Sequence, residues 1–189
     1  LFSYRTYNFN SQTMQLQGGG YLDLPAGYLH LKGNVYKYNT QPLPYVSNTS
    51  LTYQLNESQF VVGNVQEQTQ LSLYGRGAKV LLSDREGRNR VTIGAVDQNY
   101  NLVDERPWFN DYYSYFVKGE LGANNVKNGL VATYVFQKNP YEKAIFNLGS
   151  LEWRYRFSNT WNMELAAHGA TGSYSEIGEN HYSGAAEMR

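Results

Sequence analysis

Four carboxylates lie close together in the longest interval that lacks strand character, Asp97 to Asp111. Carboxylate oxygens are the ligands that calcium prefers, and a pair of carboxylates can serve as acid and base in glycoside hydrolysis. The spacing of these four residues does not match a calcium-binding EF-hand loop. We therefore interpret residues 97–111 as a long, solvated surface loop. The carboxylates are Asp97, Asp104, Glu105 and Asp111.

The other residue types that could support catalysis or metal binding are sparse. The three histidines, His30, His168 and His181, form neither an HxH nor an HExxH pattern. Cysteine is absent, which excludes a disulfide framework and a thiolate metal site. The sequence contains no nucleophile elbow, P-loop or dinucleotide-binding motif. We therefore expect no catalytic residue, no metal site and no cofactor.

The dominant pattern along the chain is an alternation of apolar and polar residues, which predicts β-strands with one apolar and one polar face. It is clearest in Gly27–Tyr38, Leu148–Phe157 and Trp161–His168. A short turn between the last two predicts a hairpin in which Arg154 faces Glu164. Further strands are expected near residues 3–9, 13–17, 50–55, 59–65, 70–83, 90–96, 113–123 and 130–137, with turns that include Gly18-Gly19-Gly20 and Asn124-Asn125.

Several of these runs exceed the five or six residues usual in soluble sheets and suit a strand that crosses a bilayer, which needs roughly 9 to 11 residues. Their polar faces carry charges in mid-strand, which a wet barrel lumen accepts and a packed core rejects. Aromatic residues lie near strand ends, where girdles at the two membrane interfaces are expected. The lumen-facing candidates are Lys32, Arg76, Lys118, Glu120, Glu152, Arg154, Arg156 and Glu164, and the girdle candidates are Tyr36, Tyr38, Tyr113, Tyr115, Phe157 and Trp161.

Composition excludes several classes of protein. Lys plus Arg is 16 and Asp plus Glu is 16, so the zero net charge argues against a nucleic-acid-binding protein. Only 17% of residues are charged while 18 are Tyr, a balance that favours a β-protein with a wet face. No apolar run reaches the roughly 18 residues of a transmembrane helix. We interpret residues 1–189 as a single segment without an internal boundary.

Two neighbouring stretches resemble part of a known family. Ser58-Gln59-Phe60-Val61-Val62-Gly63-Asn64 is followed by residues 70–80, which contain Gly75-Arg76-Gly77. This succession is similar to that in large outer-membrane barrels of Bacteroidota and, more loosely, in usher and secretion-translocon barrels. The resemblance is strongest from Asn34 to Leu102. It implies an outer-membrane barrel, or a fragment of a larger one.

We therefore expect an all-β, antiparallel transmembrane barrel, or part of one, with roughly ten strands. Its expected role is to form a wall or pore for the passage of a solute or polypeptide, in contact with outer-membrane lipid and with other subunits of an envelope complex. The alternative is a secreted or periplasmic β-sandwich or jelly roll that binds carbohydrate through Tyr and Trp side chains. A third hypothesis is a glycoside-processing enzyme that uses the loop carboxylates.

Overall fold

The computed structural model describes residues 2–7, 11–123, 128–158, 160–174 and 179–188, and these ranges contain β-strands and no helix. None of these residues therefore belongs to a helix that could cross a membrane. The strands are β1 (Phe2–Tyr7), β2 (Ser11–Leu24), β3 (Gly27–Tyr38), β4 (Tyr45–Val46), β5 (Ser50–Leu55), β6 (Ser58–Gln68), β7 (Ser72–Ser83), β8 (Asn89–Asp97), β9 (Tyr113–Leu121), β10 (Asn128–Asn139), β11 (Ala144–Arg156), β12 (Asn162–Tyr174) and β13 (Asn180–Met188).

All thirteen strands belong to one antiparallel sheet. Each strand pairs with the next one along the chain, except that β3 pairs with both β5 and the short β4. Within the described residues β1 and β13 do not pair with each other, so the sheet is not closed. A jelly roll needs two packed sheets and Greek-key connections, and this up-and-down order has neither. The strand order of the described residues is therefore not that of a jelly roll.

Local alternation predicted the best-defined strands well. Gly27–Tyr38 and Ser50–Leu55 are strands with the expected bounds. The hairpin register is confirmed, because Arg154 pairs with Glu164 and Tyr155 with Met163. A short turn leaves little freedom in how two strands align, which explains this agreement. The turn residue Asn159 and the expected turn at Asn124-Asn125 lie outside the described residues.

Three sequence-based expectations were wrong. The sheet has thirteen strands rather than roughly ten. Gly18-Gly19-Gly20 continues β2 instead of forming a turn, because β3 pairs with β2 over twelve consecutive residues and supports the glycine backbone. No strand was expected beyond His168, but Asn180–Met188 forms β13, which pairs along the edge of β12. Long-range pairing decided all three.

A small hydrophobic core lies on one face of the sheet. Val65, Leu73, Val96, Phe116 and Val135 are contributed by five neighbouring strands, and each is at most 1% exposed. On this face Lys118 of β9 comes within 3.9 Å of Glu67 of β6, three strands away, so the sheet curves around these side chains. We call the face that carries them the concave face and the opposite face the convex face.

Candidate functional site: a charged concave face and an apolar convex face

The strand register assigns the strand residues to the two faces. Residues paired directly across two strands point to the same side, and successive residues of a strand point to opposite sides. Lys118 belongs to the concave face, since it is two residues from Phe116 on β9, and Thr133 joins it as its partner on β10. No ladder is interrupted from β5 to β13, so the same assignment extends across these strands.

The concave face carries a cluster of opposite charges. Lys118 Nζ lies 2.7 Å from a carboxylate oxygen of Glu120 and 3.9 Å from one of Glu67. Lys79 Nζ lies 2.9 Å from the other oxygen of Glu67 and also donates a hydrogen bond to the carbonyl of Gln66. These side chains are partly buried. Each has an opposite charge within 4 Å, which offsets part of the cost of removing it from water.

A second group of charges lies on the same face of β11 and β12. Arg154 approaches Glu152 at 3.3 Å and Glu164 at 3.6 Å. The Arg154 side chain is 60% exposed, so each of these pairs contributes little to stability. Their effect is to line an accessible surface with alternating charge.

The structure places seven of the eight lumen-facing candidates on the concave face. Arg76 is the exception, and the expectation that it shares a face with Lys118 was wrong. It pairs with Asn64 and Asp97 in the ladders, and both lie on the convex face. Glycines on either side of Arg76 remove the alternation that would have shown its direction. The seven that share the concave face are Lys32, Lys118, Glu120, Glu152, Arg154, Arg156 and Glu164.

Arg76 is instead the centre of a buried polar network that holds the long loop after β8. Its guanidinium is 1% exposed, and its Nε lies 2.8 Å from Asp97 Oδ2. The two Nη atoms donate to the backbone carbonyls of Asp104 at 3.2 Å and Arg106 at 2.7 Å. The Trp108 ring lies 5.1 Å from the guanidinium carbon, within range of a cation–π interaction. The loop therefore folds over the one buried arginine that the described convex face contains.

The loop carboxylates have separate roles. Asp97 is buried against Arg76, so the interpretation of the whole interval as solvated was wrong for this residue. Asp104 binds the backbone N–H and the guanidinium of Arg106, and these hydrogen bonds hold the pKa of the Asp104 carboxyl well below its usual range. Within the described ranges, three or more acidic or histidine side chains nowhere meet in a group able to hold a metal ion.

The convex face is apolar and exposed. Ile93 is 50% exposed at the middle of β8, and it pairs with Val80 on β7 and Val117 on β9. From β5 to β12 the charged residues of this face in the described chain are Arg76, Asp97 and Lys138, all at the end where the long loop lies. Exposed large apolar side chains on it are Leu51, Phe60, Val62, Leu82, Val91, Ile93, Val117, Leu121, Tyr134, Ile145, Leu151 and Trp153.

The girdle candidates fall into three groups. Tyr113 and Tyr115 lie on the convex face near the long loop, and the Tyr115 ring packs 6.0 Å from that of Phe136. Phe157 and Trp161 flank the turn at the other end and are exposed. Tyr36 and Tyr38 lie on β3, away from both groups. They share the concave face with Lys32, and the Tyr36 hydroxyl accepts hydrogen bonds from polar neighbours.

Several charged residues of the concave face, including Glu67, Lys79 and Arg90, were not predicted from the sequence. The signal that could have found them is the register between neighbouring strands. Arg90 lines a cavity of about 590 Å³ at the end of the concave face near the β11–β12 turn. We call it the turn-end cavity. Its other lining side chains include Glu120, Arg154, Arg156, Trp161 and Glu164.

Comparison of the chain with protein-family models and with curated proteins found no match. The assignment of function therefore rests on the two faces themselves.

Proposed function

We propose that the chain forms the wall, or a contiguous part of the wall, of a β-barrel in the outer membrane of a Gram-negative bacterium. The convex face contacts lipid, and the concave face lines the passage taken by a solute or polypeptide. Catalysis has no part in this role. Further subunits of an envelope complex are the expected protein partners.

The observation that carries the proposal is the exposed apolar convex face. Soluble monomers rarely expose contiguous apolar patches larger than a few hundred Å². Here exposed apolar side chains follow one another from Leu51 on β5 to Trp153 on β11. In a bilayer this surface is solvated by hydrocarbon, and strand pairing satisfies the backbone polar groups that hydrocarbon cannot. Burying this face in lipid removes the cost of exposing it to water.

The distribution of charge supports the same proposal. Arg76 and Asp97, the opposite charges of the convex face, neutralise each other at the end of the strands. The mid-strand charges point to the concave face, where water has access. Barrels in lipid show this arrangement, because a charge on the lipid side is costly and a charge in the lumen tunes selectivity.

The direct test is membrane association of the full chain. After expression with export to the envelope of a Gram-negative host, we expect it to stay in the membrane fraction through a high-salt and urea wash and to require detergent for extraction. Recovery in the soluble fraction without detergent would refute the proposal and favour the secreted carbohydrate-binding alternative. Migration on a gel that changes on heating would add support, since folded membrane barrels resist unfolding in detergent.

A further inference from the structure

The turn-end cavity has the size and position of a solute site. Its volume of about 590 Å³ lies within the 300 to 1,000 Å³ typical of small-molecule pockets. Of its strand residues, Arg90, Glu120 and Arg154 belong to the concave face by register. The Trp161 indole stands at its edge. A solute moving along the concave face would meet this cavity.

The carboxylates of the cavity are already neutralised by neighbours. Glu120 lies 2.7 Å from Lys118, and Glu164 lies 3.6 Å from Arg154. The described lining contains three arginines and only these two glutamates. Local charge in the cavity therefore favours an anion over a cation.

Arg90 is the residue that lacks a counter-charge. Glu120 is its direct ladder partner but is turned towards Lys118, and within the described chain Arg90 forms no ion pair. The Nε of Arg90 is buried and has no hydrogen-bond partner in that same part of the chain. A charged donor group without a partner is costly, so an acceptor oxygen that a ligand presents to the outer guanidinium nitrogens of Arg90 would be stabilising.

We propose that the turn-end cavity binds a small oxyanion, a free solute with phosphate or carboxylate groups, and that Arg90 is its principal ligand. A guanidinium presents a planar fork of donors that matches the two oxygens of such groups. Arg154 and Arg156 line the same cavity, and Arg156 is held at its rim by a hydrogen bond from Nε to the Ser158 carbonyl at 3.0 Å. The inference deepens the proposed function, because it names the solute class for the same concave surface.

The test is a titration of the full chain in a nonionic detergent with inorganic phosphate at constant ionic strength, followed by tryptophan fluorescence. We expect a saturable signal that Trp161→Phe abolishes and that chloride does not produce. Arg90→Gln should weaken phosphate binding about tenfold or more, the factor expected when a hydrogen bond to a charged group is lost. Arg90→Lys keeps the positive charge but lacks the planar donors of the guanidinium, and it should weaken phosphate binding less than Arg90→Gln does.

The matched control is Arg88→Gln. Arg88 lies in the turn before β8, is 66% exposed and pairs with Glu86, so its loss should leave phosphate binding unchanged. Absence of a saturable signal in folded protein, or equal affinity in wild type and Arg90→Gln, would overturn the site. If Arg90→Gln does not fold, equal affinity in Arg90→Lys and Arg88→Gln would overturn it as well. The titration does not require a membrane, so a failure of binding is distinguishable from a failure of membrane association.

Discussion

At the scale of single residues, the Arg76–Asp97 pair shows why an internal charge can be retained next to an apolar surface. Arg76 exchanges water for one carboxylate, several backbone carbonyls and the face of Trp108. Asp97 also accepts hydrogen bonds from the backbone N–H groups of Asn99 and Phe109. Such a network is stable only when every charge in it has a partner, because an unpaired charge in a low-dielectric site has a high free-energy cost.

Replacing Arg76 alone should therefore be strongly destabilising. Arg76→Met leaves Asp97 buried and unpaired, and we expect a loss of about 3 to 5 kcal/mol in the free energy of unfolding. Proteolysis between residues 98 and 112 should become faster at the same time. Both changes can be measured by chemical denaturation in detergent and by limited proteolysis.

Two control variants distinguish the loss of the Arg76–Asp97 ion pair from a general effect of removing a charge. Arg106→Gln removes an exposed arginine that bridges Asp104, and it should cost at most about 1 kcal/mol. The double variant Arg76→Met/Asp97→Asn removes both charges and should recover part of the lost stability. Equal losses for Arg76→Met and Arg106→Gln would contradict the structural role assigned to Arg76.

Asp104 makes the loop sensitive to acid. Hydrogen bonds from Arg106 lower the pKa of this carboxyl in the folded protein. A group with a lowered folded-state pKa contributes stability that is fully present above its unfolded value, near 4, and is lost as the pH falls through the folded value. We expect pepsin to cut residues 98–112 faster as the pH falls from about 4.5 to 2.

The variant Asp104→Asn isolates this contribution. It cannot titrate and has lost the ionic bond to Arg106, so at pH 4.5 its loop should already be cut faster than that of the wild type. The difference in cleavage rate between the two proteins should shrink towards pH 2, because protonation of Asp104 removes the same ionic bond that the substitution removes. A difference in cleavage rate that stays constant from pH 4.5 to 2 would show that Asp104 does not titrate in this range.

At the scale of elements, the close approach of β7 to β8 explains the Gly-Arg-Gly sequence. A Cβ added at Gly77 would overlap the carbonyl oxygen of Ala95, and one at Gly75 would overlap that of Asp97. The two strands can approach this closely only because both positions lack a side chain. The same approach places Arg76 directly beside Asp97.

Gly77→Ala should therefore destabilise the sheet by about 1 to 3 kcal/mol, the usual cost of overpacking. Gly18→Ala on β2 is the matched control, since a Cβ there meets no described atom within 4 Å. We expect this control to be neutral or stabilising, because alanine loses less backbone entropy on folding than glycine. Urea denaturation in detergent measures both variants. Equal destabilisation would refute the close-packing explanation.

At the scale of the whole molecule, the two faces should respond oppositely to a new charge. Leu151 lies near the middle of β11 on the convex face and is 49% exposed, while Ser150 points to the concave face. If lipid covers the convex face, Leu151→Arg should cost about 2 to 4 kcal/mol near the bilayer midplane and should reduce assembly in the membrane.

Ser150→Arg introduces the same side chain one residue away and should assemble almost normally. The measurement is the fraction of each variant that is heat-modifiable and resistant to protease in the membrane. If the two variants assemble equally well, the convex face does not contact lipid.

Sequence alone determined the local features of the fold. Alternation in Gly27–Tyr38 and Leu148–Phe157 reflects a side-chain period of two, which any stretch of strand carries by itself. The pairing of Arg154 with Glu164 followed from a short turn, where neighbours in sequence are neighbours in space. The side of the sheet to which Lys32, Lys118 and the charged residues of β11 and β12 point could be predicted for the same reason. This prediction needs no knowledge of distant strands.

Only the tertiary structure decided the features that depend on distant partners. Arg76 lies between two glycines, so its face is set by Asp97, twenty-one positions along the chain. Gly18-Gly19-Gly20 forms a strand because β3 pairs with it, although glycine has little strand preference of its own. Arg90 became a candidate ligand only when β8, β9 and β11 were brought around one cavity. Such partners are separated along the chain, and residue types alone do not encode which strand edge meets which.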